Sequence, residues 1–427
     1  MMFHPCSKRY IRLYRILWCC AAVIQIFACA DRQRLNPLDP QNPQTLGQPT
    51  GLSVVSWRDT VTLRWDQLAL RDLNGFRIYR RLEGESRFSP IALAPPNTNS
   101  FRDLRVTFGL LHAYRIAAVA TDFESLPSDS VQITPGPAFS WVADENTGDL
   151  IMLSHDGLHE VLSTSAFGFP LRLQIDARRG YVWMLHRFGG EFGRVAMNGQ
   201  RSLNSKRIYG PWDLAIDQLD GSVWVSDSLT NGLMKFDSTG VLIKSLESYK
   251  KLVALAVHPQ TADLWALDRA TLRVLIFSRT GELPRVAPAV LQRPTDIDID
   301  AASGKIWIAD GKRVRRLDSR GEEEQLTTQV FRLAYRLAAD ETSGGCWLID
   351  YTTAIRGSDL IKLSPTGETL FTSKGFDLPQ NLALNSYDGS CLIADYGNGR
   401  IVRVAANGHV VGSYERVFSP VDVDTAQ

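Results

Sequence analysis

Cysteine, unbalanced charge and long apolar runs are all scarce in this chain of 427 residues. Six cysteines are too few for a disulfide-dense scaffold, and 32 Gly with 20 Pro fall far short of a collagen-like or low-complexity composition. Lys and Arg number 47 against 46 Asp and Glu. That balance leaves no general positive field to hold a phosphate backbone, which argues against nucleic acid as a partner. Linear catalytic signatures are missing as well: there is no Gly-x-Ser-x-Gly elbow, His-Glu-x-x-His helix, phosphate-cradling glycine loop or Cys-x-x-Cys pair. What remains is an apolar fraction of 44%, enough for two or three domains at about 150 residues each.

The first thirty residues are unlike the rest. Lys8, Arg9, Arg12 and Arg15 precede an apolar run from Ile16 to Ala28, 13 residues long. A membrane-spanning helix needs about 20 such residues, so the basic flank and short run read as a secretory signal over 1–28. Two cleavage readings stay open. Ile26-Phe27-Ala28-Cys29 resembles the lipobox of bacterial lipoproteins, which would make Cys29 the lipid-modified first residue of the mature chain. Ala28-Cys29-Ala30 also offers the alternating small residues of a soluble-protein signal peptidase site, giving a secreted or periplasmic product. The lipobox reading implies a membrane anchor, and Ala30 after Cys29 resembles the pattern sent to the outer membrane.

Loss of 1–28 removes four cations and leaves 43 against 46, a slightly acidic mature chain. Residues 29–48 form the anchor and a tether. Three prolines between Pro37 and Pro43 predict an extended, unpaired spacer of about 3 Å per residue.

A period near 41 residues governs the second half of the chain. Trp141-Val-Ala-Asp144 is followed by related segments starting at Trp183, Trp224, Trp265, Trp307, Trp347 and Leu392, at intervals of 42, 41, 41, 42, 40 and 45. Upstream in each unit comes a marker such as Pro211-Trp-Asp-Leu-Ala-Ile-Asp217. Downstream comes a turn such as Asp237-Ser-Thr-Gly240 or Ser364-Pro-Thr-Gly367. Alternating apolar residues between Gly-bearing turns predict four short antiparallel strands per unit, the size of a propeller blade. The first unit lacks its upstream marker, and the chain ends on that marker alone, Pro420-Val-Asp-Val-Asp424. The expected fold over 138–427 is therefore a seven-bladed β-propeller closed by the C-terminal strand. The aromatic-x-x-Asp strands and Asp-x-x-Gly turns resemble the NHL-type repeat.

Residues 49–135 carry a different pattern, with Val61-Thr-Leu-Arg-Trp65, Phe76-Arg-Ile-Tyr-Arg80 and Tyr114-Arg-Ile-Ala-Ala-Val119. Their order and spacing resemble a fibronectin type III domain, an immunoglobulin-like β-sandwich. The resemblance implies that Trp65 fills the core and that Tyr114 is a corner tyrosine bonded to backbone. The whole chain is thus expected to be all-β.

Symmetry points to the site. The third residues of the upstream markers are Arg172, Asp213, Ala254, Asp296, Arg336, Asn381 and Asp422, one per unit at one mouth of the central channel. Two positions on, Asp298 and Asp424 depart from a mostly alanine ring. Two readings compete: a polar pocket for a small ligand or a calcium ion, and a solvated channel in which Arg172 offsets Asp213 and Asp422 while Arg336 offsets Asp296. The six aspartates that close the Trp-x-x-Asp strands are too many for one active site, and accepting N–H bonds from the following turn explains them better. Cys346 and Cys391 occupy equivalent strand positions in neighbouring units, which predicts two buried thiols rather than a disulfide.

Loop length gives a further pointer. The stretch from the closing Asp to the next turn is 10 positions in most units and 14 from Asp350 to Ser364, which makes Tyr351 to Asp359, with Tyr351 and Arg356, the expected partner-contacting rim. The reading is a non-catalytic, monomeric, envelope-anchored protein without a cofactor, whose propeller binds a cell-envelope protein or glycan. The alternative follows from resemblance to streptogramin lyase and the sugar-lactone hydrolases, which implies an enzyme with calcium or magnesium over the channel, weakly assignable to Asp298 and Asp424.

Overall fold

A computed structural model describes residues 36–70, 72–165, 168–187, 191–229, 232–249, 251–327, 329–355 and 357–426. Residues 1–28, expected to be a signal segment, as well as Cys29 and Arg356, lie outside the described residues. The chain is all-β and divides into two compact units, one mainly before residue 135 and one mainly from Pro135 onward.

The first unit pairs Ser53–Trp57, Thr60–Arg64 and Ser100–Asp103 in one sheet. A second sheet runs in the order Ser89–Ala94, Leu73–Leu82, His112–Ala120, Val131–Ile133. Alternation puts Val61 and Leu63 of one sheet and Phe76, Ile78, Tyr114 and Ile116 of the other into a shared core, with Trp65 5.2 Å from the Phe76 ring. Tyr114 is fully buried, as expected, but its hydroxyl donates to the Asp103 carboxylate at 2.9 Å rather than to backbone. Arg80 reaches the same oxygen at 2.7 Å, so a charge-assisted pair takes the place of the expected carbonyl.

The spacer also departs from its expectation. Asn36–Pro43 is folded into consecutive turns, with Asp39 N–H donating to Asn36 O at 3.0 Å and Asn42 N–H to Asp39 O at 2.9 Å. Each proline follows an Asn or Asp, and those side chains open the turns: Asn36 Oδ1 accepts Leu38 N–H at 3.0 Å and Asn42 Oδ1 accepts Gln44 N–H at 2.9 Å. Leu38 packs into the first unit's core cluster, which holds the segment down.

In the second unit the described residues form seven antiparallel sheets of four strands. Within a sheet the second strand is buried throughout, as in Val223–Asp227 and Ile306–Asp310, whereas outer strands such as Leu242–Leu246 alternate half-buried and exposed residues. The six repeat tryptophans are essentially inaccessible and fill the space between neighbouring sheets. The turns form as expected: Asp237 Oδ1 accepts N–H bonds from Thr239 and Val241 at 2.9 Å each, and Gly240 takes the left-handed φ of +87°.

The last strand, Pro420–Ala426, pairs with Phe139–Asp144 in register Pro420↔Asp144, Asp424↔Trp141 and Ala426↔Phe139. It joins the sheet that opens the unit, and it packs against the first strands of the second and seventh sheets, Pro170–Asp176 and Asn381–Asn385. Cys346 and Cys391 are unpaired and fully buried, and burial pushes both thiols up.

Candidate functional site

Seven strands line the channel: Pro170–Asp176, Pro211–Ile216, Leu252–Val257, Pro294–Ile299, Ala334–Asp340, Asn381–Asn385 and Pro420–Ala426. Each is an edge strand of its own sheet, with N–H groups that no strand pairs on the channel side. An unpaired backbone donor in such a place is costly unless something else accepts from it.

The polar ring residues supply those acceptors. Asp422 Oδ2 accepts Leu173 N–H at 2.7 Å and Asp424 Oδ2 accepts Ile175 N–H at 2.8 Å. Gln174 Oε1 accepts Ile216 N–H at 2.8 Å, and Asp213 Oδ2 accepts Leu255 N–H at 2.8 Å. Asp296 and Asp298 do the same for Leu337 and Ala339 at 2.9 and 2.8 Å. Every one of these bonds runs from a sheet to the next along the chain, starting from the first, second, third and fifth sheets.

The second carboxylate oxygens differ. Asp298 Oδ1 and Asp424 Oδ1 turn back to the N–H of the following residue, at 2.8 and 2.9 Å. Asp422 Oδ1 accepts from the Asn381 amide. Asp213 Oδ1 faces Arg172 Nε at 3.8 Å, and Asp296 Oδ1 faces Arg336 Nη1 at 3.4 Å. Of the three expected offsets, Arg172 with Asp213 and Arg336 with Asp296 lie within ion-pair reach, whereas Asp422 bonds the Asn381 amide instead; Arg336 also donates to the carbonyls of Thr295 and Gln380.

Burial raises the pKa of these carboxyls. Asp213 and Asp298 are pushed up to about 6 and Asp424 to about 7, burial outweighing the N–H bonds they accept, and Asp296 rises well above the usual range. Asp422 is also raised by burial, with Arg172 opposing. Burial pulls Arg172 down, but Asp422 and Asp213 outweigh it and hold the guanidinium above its ordinary value. The cavity these residues enclose is about 410 Å³.

A divalent cation needs several oxygen ligands turned toward one point. At Asp298 and Asp424 all four carboxylate oxygens already accept backbone N–H groups, and among the described residues no three acids, histidines or cysteines converge on a common point. The donor set does not fit the cation, and no chemistry is derived through one.

The closing aspartates reach further than the following turn. Asp144 accepts from the N–H groups of Phe418 (2.6 Å) and Ser419, Asp310 from Gln292 (2.8 Å) and Arg293, Asp350 from Arg332 (2.8 Å) and Leu333, and Asp395 from Asp377 (2.7 Å). These donors precede the innermost strand, so the carboxylate fixes the entry of that strand into its own sheet. Asp144, Asp227 and Asp268 accept N–H groups from the turn that follows them, and Asp395 accepts from the Asn398 amide there.

A second set of contacts between sheets escaped the sequence reading. Arg194, Lys235, Arg316 and Lys362 lie over the repeat tryptophans of their own sheets at 5.0–5.2 Å, and their heads donate to turn carbonyls of the next sheet. Lys235 Nζ reaches Arg279 O at 2.6 Å, and Arg403 closes the circuit to Asp156 O at 3.0 Å. A signal existed: each cation stands two residues before the Asp-x-x-Gly or equivalent turn.

At the expected rim segment, Tyr351 is half-buried against Tyr335, with ring centroids 4.7 Å apart. Thr353, Ala354 and Ile355 are exposed, and Ser358 ties the loop's base to Thr352.

No protein-family model matches the chain, and no curated protein matches it. Solved structures do. A functionally unknown protein from Desulfotomaculum acetoxidans superposes with a TM-score of 0.57 at 12% identity, over 68% of this chain and 99% of that one. A putative 6-phosphogluconolactonase from Bacteroides fragilis gives 0.55 at 13% identity, over 68% and 98%. Virginiamycin B lyase from Staphylococcus aureus gives 0.48 at 14% identity, over 65% and 87%. At these identities the likeness extends to the fold alone, and the chain is an all-β protein with an array of β-propeller type.

Proposed function

We propose that this is an exported, lipid-anchored, non-catalytic binding protein of the cell envelope, monomeric, in which a fibronectin type III module carries a seven-bladed propeller. Seven four-stranded sheets and a C-terminal strand that joins the opening sheet support the blade count and the closure. Two sheets around Trp65 and Tyr114 support the module. The basic, apolar leader ending at Cys29 supports outer-membrane anchoring through lipid. Replacing Cys29 with Ser should move the protein from the membrane to the soluble fraction; a variant still sedimenting with membranes would refute the anchor.

One observation carries the binding reading. Phe169, Tyr209, Trp212 and Phe418 are four of the five exposed aromatic residues described from Pro135 onward, and all four stand where the chain enters an innermost strand. Antiparallel alternation puts those entries and the loops after the second strands, with Leu229 and Ile355, at one rim. The channel's carboxylates, by contrast, are accounted for by bonds between sheets. Exposed aromatics gathered on one face mark a partner surface, whether protein or glycan.

The triple change Phe169→Ser, Tyr209→Ser, Phe418→Ser should abolish retention of an envelope component by the immobilised protein at unchanged melting temperature. Equal retention by parent and variant would remove the rim from consideration. Deleting Tyr351 to Asp359 tests the neighbouring loop in the same assay, with weakened retention expected.

A further inference from the structure

The same rim holds a concave slot of about 440 Å³ between the third and fourth sheets, within the range of clefts that hold small ligands. Trp212 forms one wall and is 44% exposed, whereas the six repeat tryptophans are buried. Lys251 and Arg269, both exposed, form the other wall, and Leu252 and Val253 lie beneath. No ion pair engages Lys251 or Arg269 among the described residues, and no acid lines the slot. The nearby carboxylates are used internally: Asp227 accepts the N–H groups of Gly210 and Leu229 at 3.1 and 2.8 Å, and Asp268 those of Ala270 and the Thr271 hydroxyl at 2.9 and 2.7 Å.

An uncovered indole and two free cations on facing walls select for a ligand with a flat apolar surface and negative charge at its edge. A pyranose ring bearing a carboxylate has both: its C–H face packs on the indole, and its carboxylate accepts from ammonium and guanidinium. A peptide added as a strand would need a free sheet edge. Here the backbone is occupied, since Lys251 O already accepts Arg269 N–H at 3.0 Å and Gly210 O accepts Ser228 N–H at 2.8 Å. Those bonds also fix the walls before any ligand arrives, which lowers the ordering cost of binding.

The geometry points to this slot as a subsite for an acidic polysaccharide, with a uronate-type sugar stacked on Trp212 and its carboxylate held by Lys251 and Arg269. The assignment rests on the rim-binding reading above and narrows it to one ligand class. The test uses the full mature chain and oligogalacturonate as probe, followed by tryptophan emission and calorimetry. Binding should shift the emission, weaken as salt rises, and drop about tenfold or more in Trp212→Ala and in Lys251→Glu, while Lys251→Arg retains it. Both positions are exposed, so melting temperatures should match the parent. Absence of oligogalacturonate binding, equal binding of neutral dextran, or equal affinity in Trp212→Ala would overturn the assignment. Equal binding of polyglutamate would overturn it in favour of an acidic protein. If any of these occurs while the Phe169, Tyr209, Phe418 variant still loses envelope retention, the slot assignment fails and the rim reading stands; if retention survives that triple change, the rim reading itself fails.

Discussion

Single side chains here carry charge states that matter near neutral pH. Asp424 has its folded pKa pushed up to about 7 from 3.8, so the folded state binds the proton more tightly than the unfolded chain. The associated stability is fully present below about pH 4 and is lost as pH rises through about 7. Asp213 and Asp298, at about 6, act in the same direction over a slightly lower window. Asp424→Asn keeps an oxygen for the Ile175 N–H and removes the charge, so it should raise the melting temperature at pH 8 and leave it nearly unchanged at pH 4. A thermal scan at the two pH values checks this, and an equal effect at both would contradict the linkage. The positions Arg172, Asp213, Asp296, Asp298, Arg336, Asn381, Asp422 and Asp424 were all legible from the period alone. Their job was not, because a carboxylate's partner on another sheet's backbone leaves no trace in composition or spacing. Tyr114 shows the same limit: its burial could be read from alternation, while its bond to Asp103 depends on where another strand ends.

At the scale of strands and turns, the repeat spacing identified almost every element of the second unit, since Gly-bearing turns and apolar alternation are local signals. The departure at Asn36–Pro43 has an equally local cause: the Asn or Asp before each proline opens a turn, and this outweighs the stiffness of the proline ring. The closing aspartates offer a direct test. Asp310→Ala would strip acceptors from the Gln292 and Arg293 N–H groups and from Arg315, whose Nε lies 2.8 Å away. A loss of about 1–3 kcal/mol is expected for donors left unsatisfied at a buried carboxylate, read as a lower urea midpoint. Asp144→Ala removes the equivalent acceptor from the segment before Pro420, and should cost more because that strand completes the opening sheet. The cations between sheets are testable in the same way: Lys362→Met keeps the stem over Trp347 but loses the contacts to Ala406 O and to Asp340, 2.9 Å away. Its effect should exceed that of a surface lysine change, which is usually within about 0.5 kcal/mol.

For the molecule as a whole, the array was legible because each unit repeats the same chemistry, and the departures from symmetry are what the repeat cannot explain. The exposed aromatics of the rim belong to that class. So does the unshared terminus: truncation after Ser419 should remove the strand that carries Asp422 and Asp424, broaden the unfolding transition and promote aggregation through the exposed edges. Retention of a sharp, reversible transition would show that the opening sheet stands without its fourth strand.

The bonds from the first sheet's carboxylates to the second sheet's backbone have a consequence for biosynthesis. Leu173 and Ile175 are made 249 residues before Asp422 and Asp424, the acceptors for their N–H groups. A growing chain can stack its middle units as they emerge, but the seam stays open until Pro420–Ala426 has been made. For the export proposed above, this delay would keep the polypeptide unlocked while it must still be threaded.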